Sequence, residues 1–188
     1  FDESAVDFLE KLNVSAYKIA SFENDHYPLL DKIAKTGKPI IISTGLTDLN
    51  ELKKIVKFFK KKKCNIALLK CTSSYPANPE KLNLKTIPDM KKKFKVEVGF
   101  SDHTIGIGSS LAAIAQGASI IERHFVLKKN FGIDSKFSST IEDLKIIKEE
   151  SKIIWKSLGE INYNGKKIDK SFLKFKRSIY TCKDIKKG

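Results

Sequence analysis

Short apolar runs alternate with helical patterns along this 188-residue chain, and that alternation constrains its fold more than any other feature. The apolar runs Ala16–Ala20, Pro39–Ser43, Ile66–Cys71, Val96–Phe100 and Ser119–Phe125 read as strands. Between and after them, Tyr27–Lys35, Asp48–Lys63, Leu82–Phe94, Gly108–Gln116 and Thr140–Leu158 carry helical spacing. Asp48 with Glu51, and Ser139 with Glu142, stand at the offset of a reciprocal helix cap.

Strands such as Pro39-Ile40-Ile41-Ile42 are apolar in succession, which is the pattern of parallel strands covered on both faces. The repeat of roughly 25–30 residues suits right-handed strand–helix–strand crossovers. The chain is therefore expected to be α/β with at least five parallel strands. Every strand ends in polar groups: Ser21; Ser43-Thr44; Thr72-Ser73-Ser74; Ser101-Asp102-His103; Glu122-Arg123-His124. An open sheet concentrates its chemistry at one crevice, whereas a (β/α)8 TIM barrel gathers all its strand ends around one site. The barrel fits better.

A whole barrel needs about 250 residues. The expectation is thus the C-terminal five strand–helix units of a TIM barrel over 1–158, with its first three strands upstream. A polar, Lys-rich linker is expected over 159–174, and a further domain begins over 175–188, with Phe175–Cys182 as its first strand. The chain starts at Phe1 and its one methionine is Met90, so it reads as a fragment of a longer cytoplasmic protein.

Charge raises nucleic acid as a partner, since 36 Lys and Arg outweigh 22 Asp and Glu for a net +14. Only Arg123 and Arg177 are arginines, however, and reading of bases or phosphates favours the planar guanidinium fork. The densest runs, Lys60–Lys63 and Lys91–Lys93, fall at the ends of expected helices, where they complement the helix dipole. No nucleic-acid partner is expected. No apolar run approaches the ~18 residues of a membrane span. Three cysteines, Cys64, Cys71 and Cys182, show neither metal-ligand spacing nor a disulfide framework.

His103 and His124 each sit just past the end of consecutive strands, which lie about 4.8 Å apart in a parallel sheet. Two such imidazoles can reach one metal ion; the alternative is a pair of histidines bound to local partners. Lys18 lies within an apolar strand, where a charge needs an anion, a ligand or a path to solvent. With Ser21, Ser43, Thr44, Ser73 and Ser101 it makes a candidate anion cradle, although each hydroxyl alone reads as a cap or turn residue. Gly106-Ile107-Gly108 fails as a dinucleotide loop because Leu111 replaces the third glycine. Cys71 reads as a buried thiol, and His26 as a loop residue. No serine sits in a nucleophile elbow.

Five motifs then appear in order: Tyr17-Lys18-Ile19-Ala20-Ser21-Phe22-Glu23, Ile42-Ser43-Thr44-Gly45, Leu69-Lys70-Cys71-Thr72-Ser73-Ser74-Tyr75-Pro76, Gly99-Phe100-Ser101-Asp102-His103-Thr104 and Ile121-Glu122-Arg123-His124-Phe125. Together they resemble the sialic acid synthase family, barrels that condense phosphoenolpyruvate with an N-acylated amino sugar. The form Lys-Ile-Ala-Ser-Phe-Glu and the segment Asp134-Ser135-Lys136-Phe137-Ser138 look most like the pseudaminic acid synthases of that family. N-acetylneuraminate or legionaminate synthesis is the alternative, and a catalytically inactive barrel used as a binding module is another. The resemblance implies a divalent metal (Mn2+, Mg2+ or Co2+) on His103 and His124. It implies phosphoenolpyruvate at Lys18, Ser21, Ser43, Ser73, Tyr75 and Ser101, and the sugar near Asp134. It also implies an acid/base glutamate upstream, a homodimer when full length, and Lys176-Arg177-Ser178-Ile179-Tyr180 as the start of a small antifreeze-like domain.

Overall fold

Five parallel strands pair in chain order: β1 (Tyr17–Ile19), β2 (Ile40–Ser43), β3 (Ile66–Cys71), β4 (Glu97–Asp102) and β5 (Ile121–Arg123). The computed structural model describes residues 2–163, 170–177 and 179–188. Six helices accompany the strands: α1 (Glu3–Lys11), α2 (Tyr27–Lys35), α3 (Leu49–Lys61), α4 (Thr86–Phe94), α5 (Gly108–Ala115) and α6 (Ile141–Leu158). All five expected strands are present, and a helix follows each of the first four, the one after β3 starting later than its pattern predicted.

The sheet is curled. Neighbouring strands lie ~4.8 Å apart, so β1 and β5 at the two edges of a flat sheet would stand about 19 Å apart. Instead Lys18 Nζ of β1 lies 3.4 Å from Glu122 Oε1 of β5, and Ser43 Oγ of β2 lies 3.5 Å from Glu122 Oε2. Two side chains cannot span the flat distance, so the edges must bend toward one another. The result is a half-barrel of parallel strands with helices between them.

Strand alternation sorts the residues onto two faces. In register, Ile42 pairs Leu68, and Leu68 pairs Val98; all three are fully buried and belong to one core with Leu30, Ile33, Phe59 and Ile87 of the helices. The opposite parity carries the register Cys71, Ser101, Glu122, with Ser43 and Lys18 on the same face. Gly99 on that face is a close-approach glycine. A Cβ there would lie 2.4 Å from Ile120 O and 2.6 Å from Leu69 Cδ2, so a side chain would push β4 from β5.

The Asp48 cap forms as expected: its carboxylate accepts from Asn50 N (2.7 Å) and Glu51 N (2.8 Å), and Glu51 Oε2 accepts from Asp48 N (2.9 Å). The expected Ser139–Glu142 cap does not. Thr140 and Asp143 make it instead, one residue later, at 2.9 and 3.3 Å. Ser139 is drawn elsewhere, because its hydroxyl accepts from Arg123 Nε at 2.5 Å. The fourth helix starts at Thr86, not Leu82. Asn78 and Pro79 open a separate 3-10 turn over Pro79–Lys81, and Pro88 is tolerated only in a first helical turn. Lysines close α3 and α4 as expected, and Lys60 Nζ also donates to Phe94 O at 2.6 Å, satisfying a terminal carbonyl of α4.

The chain divides into two units, Phe1–Leu158 and Gly159–Gly188. In the second, Lys170–Phe175 forms a 3-10 helix. Residues 164–169 of the expected linker lie outside the described residues. No strand forms among the described residues of Phe175–Cys182, which corrects that expectation. An apolar run with no neighbouring strand leaves its backbone groups unpaired and has no reason to extend as one. Among the described residues, no helix is long and apolar enough to cross a membrane.

Candidate functional site

One cavity of about 430 Å³ opens where the strands end. Lys18, Ser21, Ser43, Tyr75, Ser101, His103 and His124 all line it, together with Phe22, Cys71, Glu122 and Arg123. The alternation of the sheet explains the gathering: Cys71, Ser101 and Glu122 share a register on three neighbouring strands, and His103 and His124 lie two residues beyond Ser101 and Glu122.

Burial of Tyr17 and Ile19 in β1 leaves Lys18 on the cavity face, where its Nζ meets Glu122 and donates to Ile19 O at 3.1 Å. Of the options open for Lys18, the structure supplies an anion from the far edge of the sheet and a partial path to solvent. Both side chains are about a third exposed (33% and 38%), so an arriving anion can displace the pair at small cost. Around this lysine the hydroxyls converge. Ser21 Oγ accepts from Gly45 N at 2.9 Å, and Ser43 and Ser101 are buried beside it. Ser73 does not line the cavity; its Oγ lies 3.8 Å from Cys71 Sγ, one layer behind. Gly45 is essential to this crowding. A Cβ on Gly45 would sit 2.2 Å from Ser73 Oγ, 3.0 Å from Cys71 Sγ and 3.1 Å from Ser21 Oγ.

Across the cavity the imidazoles of His103 and His124 stand 5.3 Å apart between ring centroids, inclined at 74°. His103 Nδ1 faces Thr72 O at 3.1 Å, and His124 Nδ1 faces Asp134 Oδ2 at 3.2 Å. A ring nitrogen that faces a carbonyl or carboxylate carries the proton, which makes Nε2 the metal-competent nitrogen of each ring. Asp134 therefore touches His124 and lies outside the cavity lining. Tyr75 packs 4.3 Å from the His103 ring, and Phe137 packs 5.0 Å from the His124 ring.

Burial by itself pushes the Cys71 thiol up, but hydrogen bonds with His103 and Ser73 outweigh it and bring it below its ordinary value. For His103, burial opposes charge, while the Cys71 and Thr72 contacts overcome it and raise the imidazole. This contact is not legible in the sequence, because Cys71 and His103 meet only through the β3–β4 register. Glu122 and Arg123 were also missed as site residues. Glu122 carried the same signal as Lys18, a charge inside an apolar strand.

Do these residues suit a divalent ion? Among the described residues no group of three or more His, Cys, Asp or Glu gathers as a ready-made cage. The pair of imidazoles, each fixed by a partner on Nδ1, does suit an ion that keeps its other positions for water and substrate.

The chain is 42% identical over 193 residues to N,N'-diacetyllegionaminic acid synthase and 43% identical over 193 residues to pseudaminic acid synthase, both from Campylobacter jejuni. Each alignment covers all of this chain and 58% or 55% of the relative, so the chain spans about half the length of the curated relatives it matches. The crystal structure of the N-acetylneuraminic acid synthetase of Leptospira borgpetersenii superimposes with a TM-score of 0.85 at 34% identity, covering 93% of this chain and 62% of that one. Residues 1–163 match the NeuB family. With that match, these identities and a half-barrel of the same type, the chain belongs to the NeuB family.

Proposed function

We propose that the chain forms part of a synthase that condenses phosphoenolpyruvate with an N-acylated amino sugar to give a nonulosonic acid. One observation carries this reading: a lysine–serine cradle and a histidine pair face each other across a single cavity of about 430 Å³. Lys18, with Ser21, Ser43 and Ser101, would bind the phosphate and carboxylate of phosphoenolpyruvate through charge-assisted hydrogen bonds. His103 and His124 would hold a divalent metal, which when bound supplies Lewis acidity toward the sugar aldehyde. Tyr75 and Phe137 wall the histidines and limit water around them. Held this way, the enolpyruvate C3 and the aldehyde carbon become neighbours, and positioning supplies much of the rate. In the implied reaction C3 bonds to the aldehyde carbon, water adds at C2, and phosphate leaves with C–O cleavage.

The product class is taken as pseudaminic acid. Identity does not separate the subfamilies, since 42% and 43% are equal for this purpose. The Lys-Ile-Ala-Ser-Phe-Glu motif favours it, because Phe22 lines the cavity with 63% of its surface exposed and offers an apolar face to the sugar. The test is phosphate release by this segment expressed with its native flanking coding sequence, with phosphoenolpyruvate and a panel of N-acylated amino sugars. Metal-dependent turnover with the precursor sugar of pseudaminic acid supports the reading. Turnover only with another sugar moves the subfamily, and none with any sugar leaves a binding module.

A further inference from the structure

Behind the two histidines, on the other parity of the same two strands, lies a buried ion pair, whose Arg123 also borders the cavity. Asp102 of β4 and Arg123 of β5 are register partners, and their side chains are 0% and 2% exposed. Each immediately precedes a histidine of the cavity. Every N–H of the Arg123 guanidinium is used. Nη1 donates to Asp102 Oδ2 and to Ser110 Oγ (3.1 Å), Nη2 to Thr104 O (2.9 Å) and Phe137 O (3.3 Å), and Nε to Ser139 Oγ (2.5 Å). Asp102 is equally saturated. Oδ1 accepts from Thr104 N and Oγ1, both at 2.8 Å, and Oδ2 accepts from Ser110 Oγ at 2.6 Å besides Arg123.

We propose that Arg123 and Asp102 are positioning residues that set the separation of His103 and His124. The network joins four pieces of chain that could otherwise move independently: the end of β4, the start of α5, the end of β5, and the segment at Phe137–Ser139. That last segment also returns to His124, since Ser139 N donates to His124 O at 2.8 Å. It leads as well to Asp134, whose backbone oxygen accepts from Ser138 Oγ at 2.7 Å and whose carboxylate faces His124 Nδ1. A buried ion pair adds little net stability over apolar side chains of similar volume, and what it can add is a fixed register. Lysine cannot replace Arg123, because one ammonium with three donors cannot reach five acceptors arranged around a planar fork.

This inference rests on the metal reading for one of its two readouts. The experiment uses the segment expressed with its native flanking coding sequence and compares it with Arg123→Lys. Should that variant fail to fold, the double variant Asp102→Leu with Arg123→Met removes both charges together. Manganese affinity, followed by the electron paramagnetic resonance signal of the free ion, should fall by about 10- to 100-fold while thermal unfolding stays cooperative. The nuclear Overhauser contact between the His103 and His124 rings should weaken or disappear in parallel. A folded variant with unchanged manganese affinity and an unchanged ring-to-ring contact would overturn the proposal. If the unsubstituted chain takes up no manganese, the metal reading fails separately, and the ring-to-ring contact alone decides the positioning role.

Discussion

Lys18 shows how far a single residue can be read before folding and where the reading stops. A cation inside Tyr17–Ile19 signalled an anion nearby, but its partner Glu122 is over a hundred positions away and comes close only because the sheet curls. On the proposed function, Lys18→Met in the segment expressed with its native flanking sequence should raise KM for phosphoenolpyruvate about ten- to a hundredfold, from loss of a hydrogen bond to a charged ligand. The sugar KM should stay nearly constant; an equal rise in both would mean that the barrel itself was damaged. Gly45→Ala is a second residue-scale case. Its Cβ would fall 2.2 Å from Ser73 Oγ, and overpacking of that kind costs about 1–3 kcal/mol. Thermal unfolding should show that loss, and an unchanged midpoint would mean that the serines have room to move aside. Nothing local to Gly45 in the sequence shows that Ser21, Cys71 and Ser73 crowd the same point, because they come from other strand ends. Cys71 reads from the sequence as a buried thiol, and its contact with His103 comes only through β-pairing.

At the level of elements, the sequence is most reliable where local chemistry is self-contained. The third helix opens on a reciprocal cap whose two members are close in sequence, and both hydrogen bonds form. Asp48→Ala should therefore destabilise the chain by about 1 kcal/mol, measurable as a lower urea midpoint with an unchanged slope. Where a tertiary partner competes, local reasoning slips. Ser139 had the right spacing for a cap, yet Arg123 claims its hydroxyl and the cap moves to Thr140. Phe175–Cys182 reads as a strand in the sequence, yet no strand forms among its described residues. Composition proposes strands; pairing decides them.

For the whole molecule, parity within the strands carries the argument. Because the strands are parallel and in register, one face collects Lys18, Ser43, Ser101, Glu122 and the histidines, and the other collects Ile42, Leu68, Val98 and the Asp102–Arg123 pair. The polar ends of all five strands made this legible in advance, but the sizes and contacts of the cavity were not. Large apolar side chains also stay exposed on α1, at its C-cap and on α6, including Phe8 (60%), Leu12 (60%) and Trp155 (64%). Exposed apolar surface of that kind favours association, so light scattering on the isolated 188-residue chain should show mass rising with concentration. A strictly monomeric chain at all concentrations would contradict this.

The central claim is that the lysine–serine cradle and the histidine pair serve two reactants in one cavity. The most direct measurement is the phosphorus-31 relaxation of phosphoenolpyruvate in the presence of manganese, made on the segment expressed with its native flanking sequence. Strong paramagnetic relaxation is expected, and it should be lost in His103→Ala, where the ion no longer binds, and in Lys18→Met, where the phosphate no longer binds. Relaxation that persists undiminished in both variants would contradict that claim.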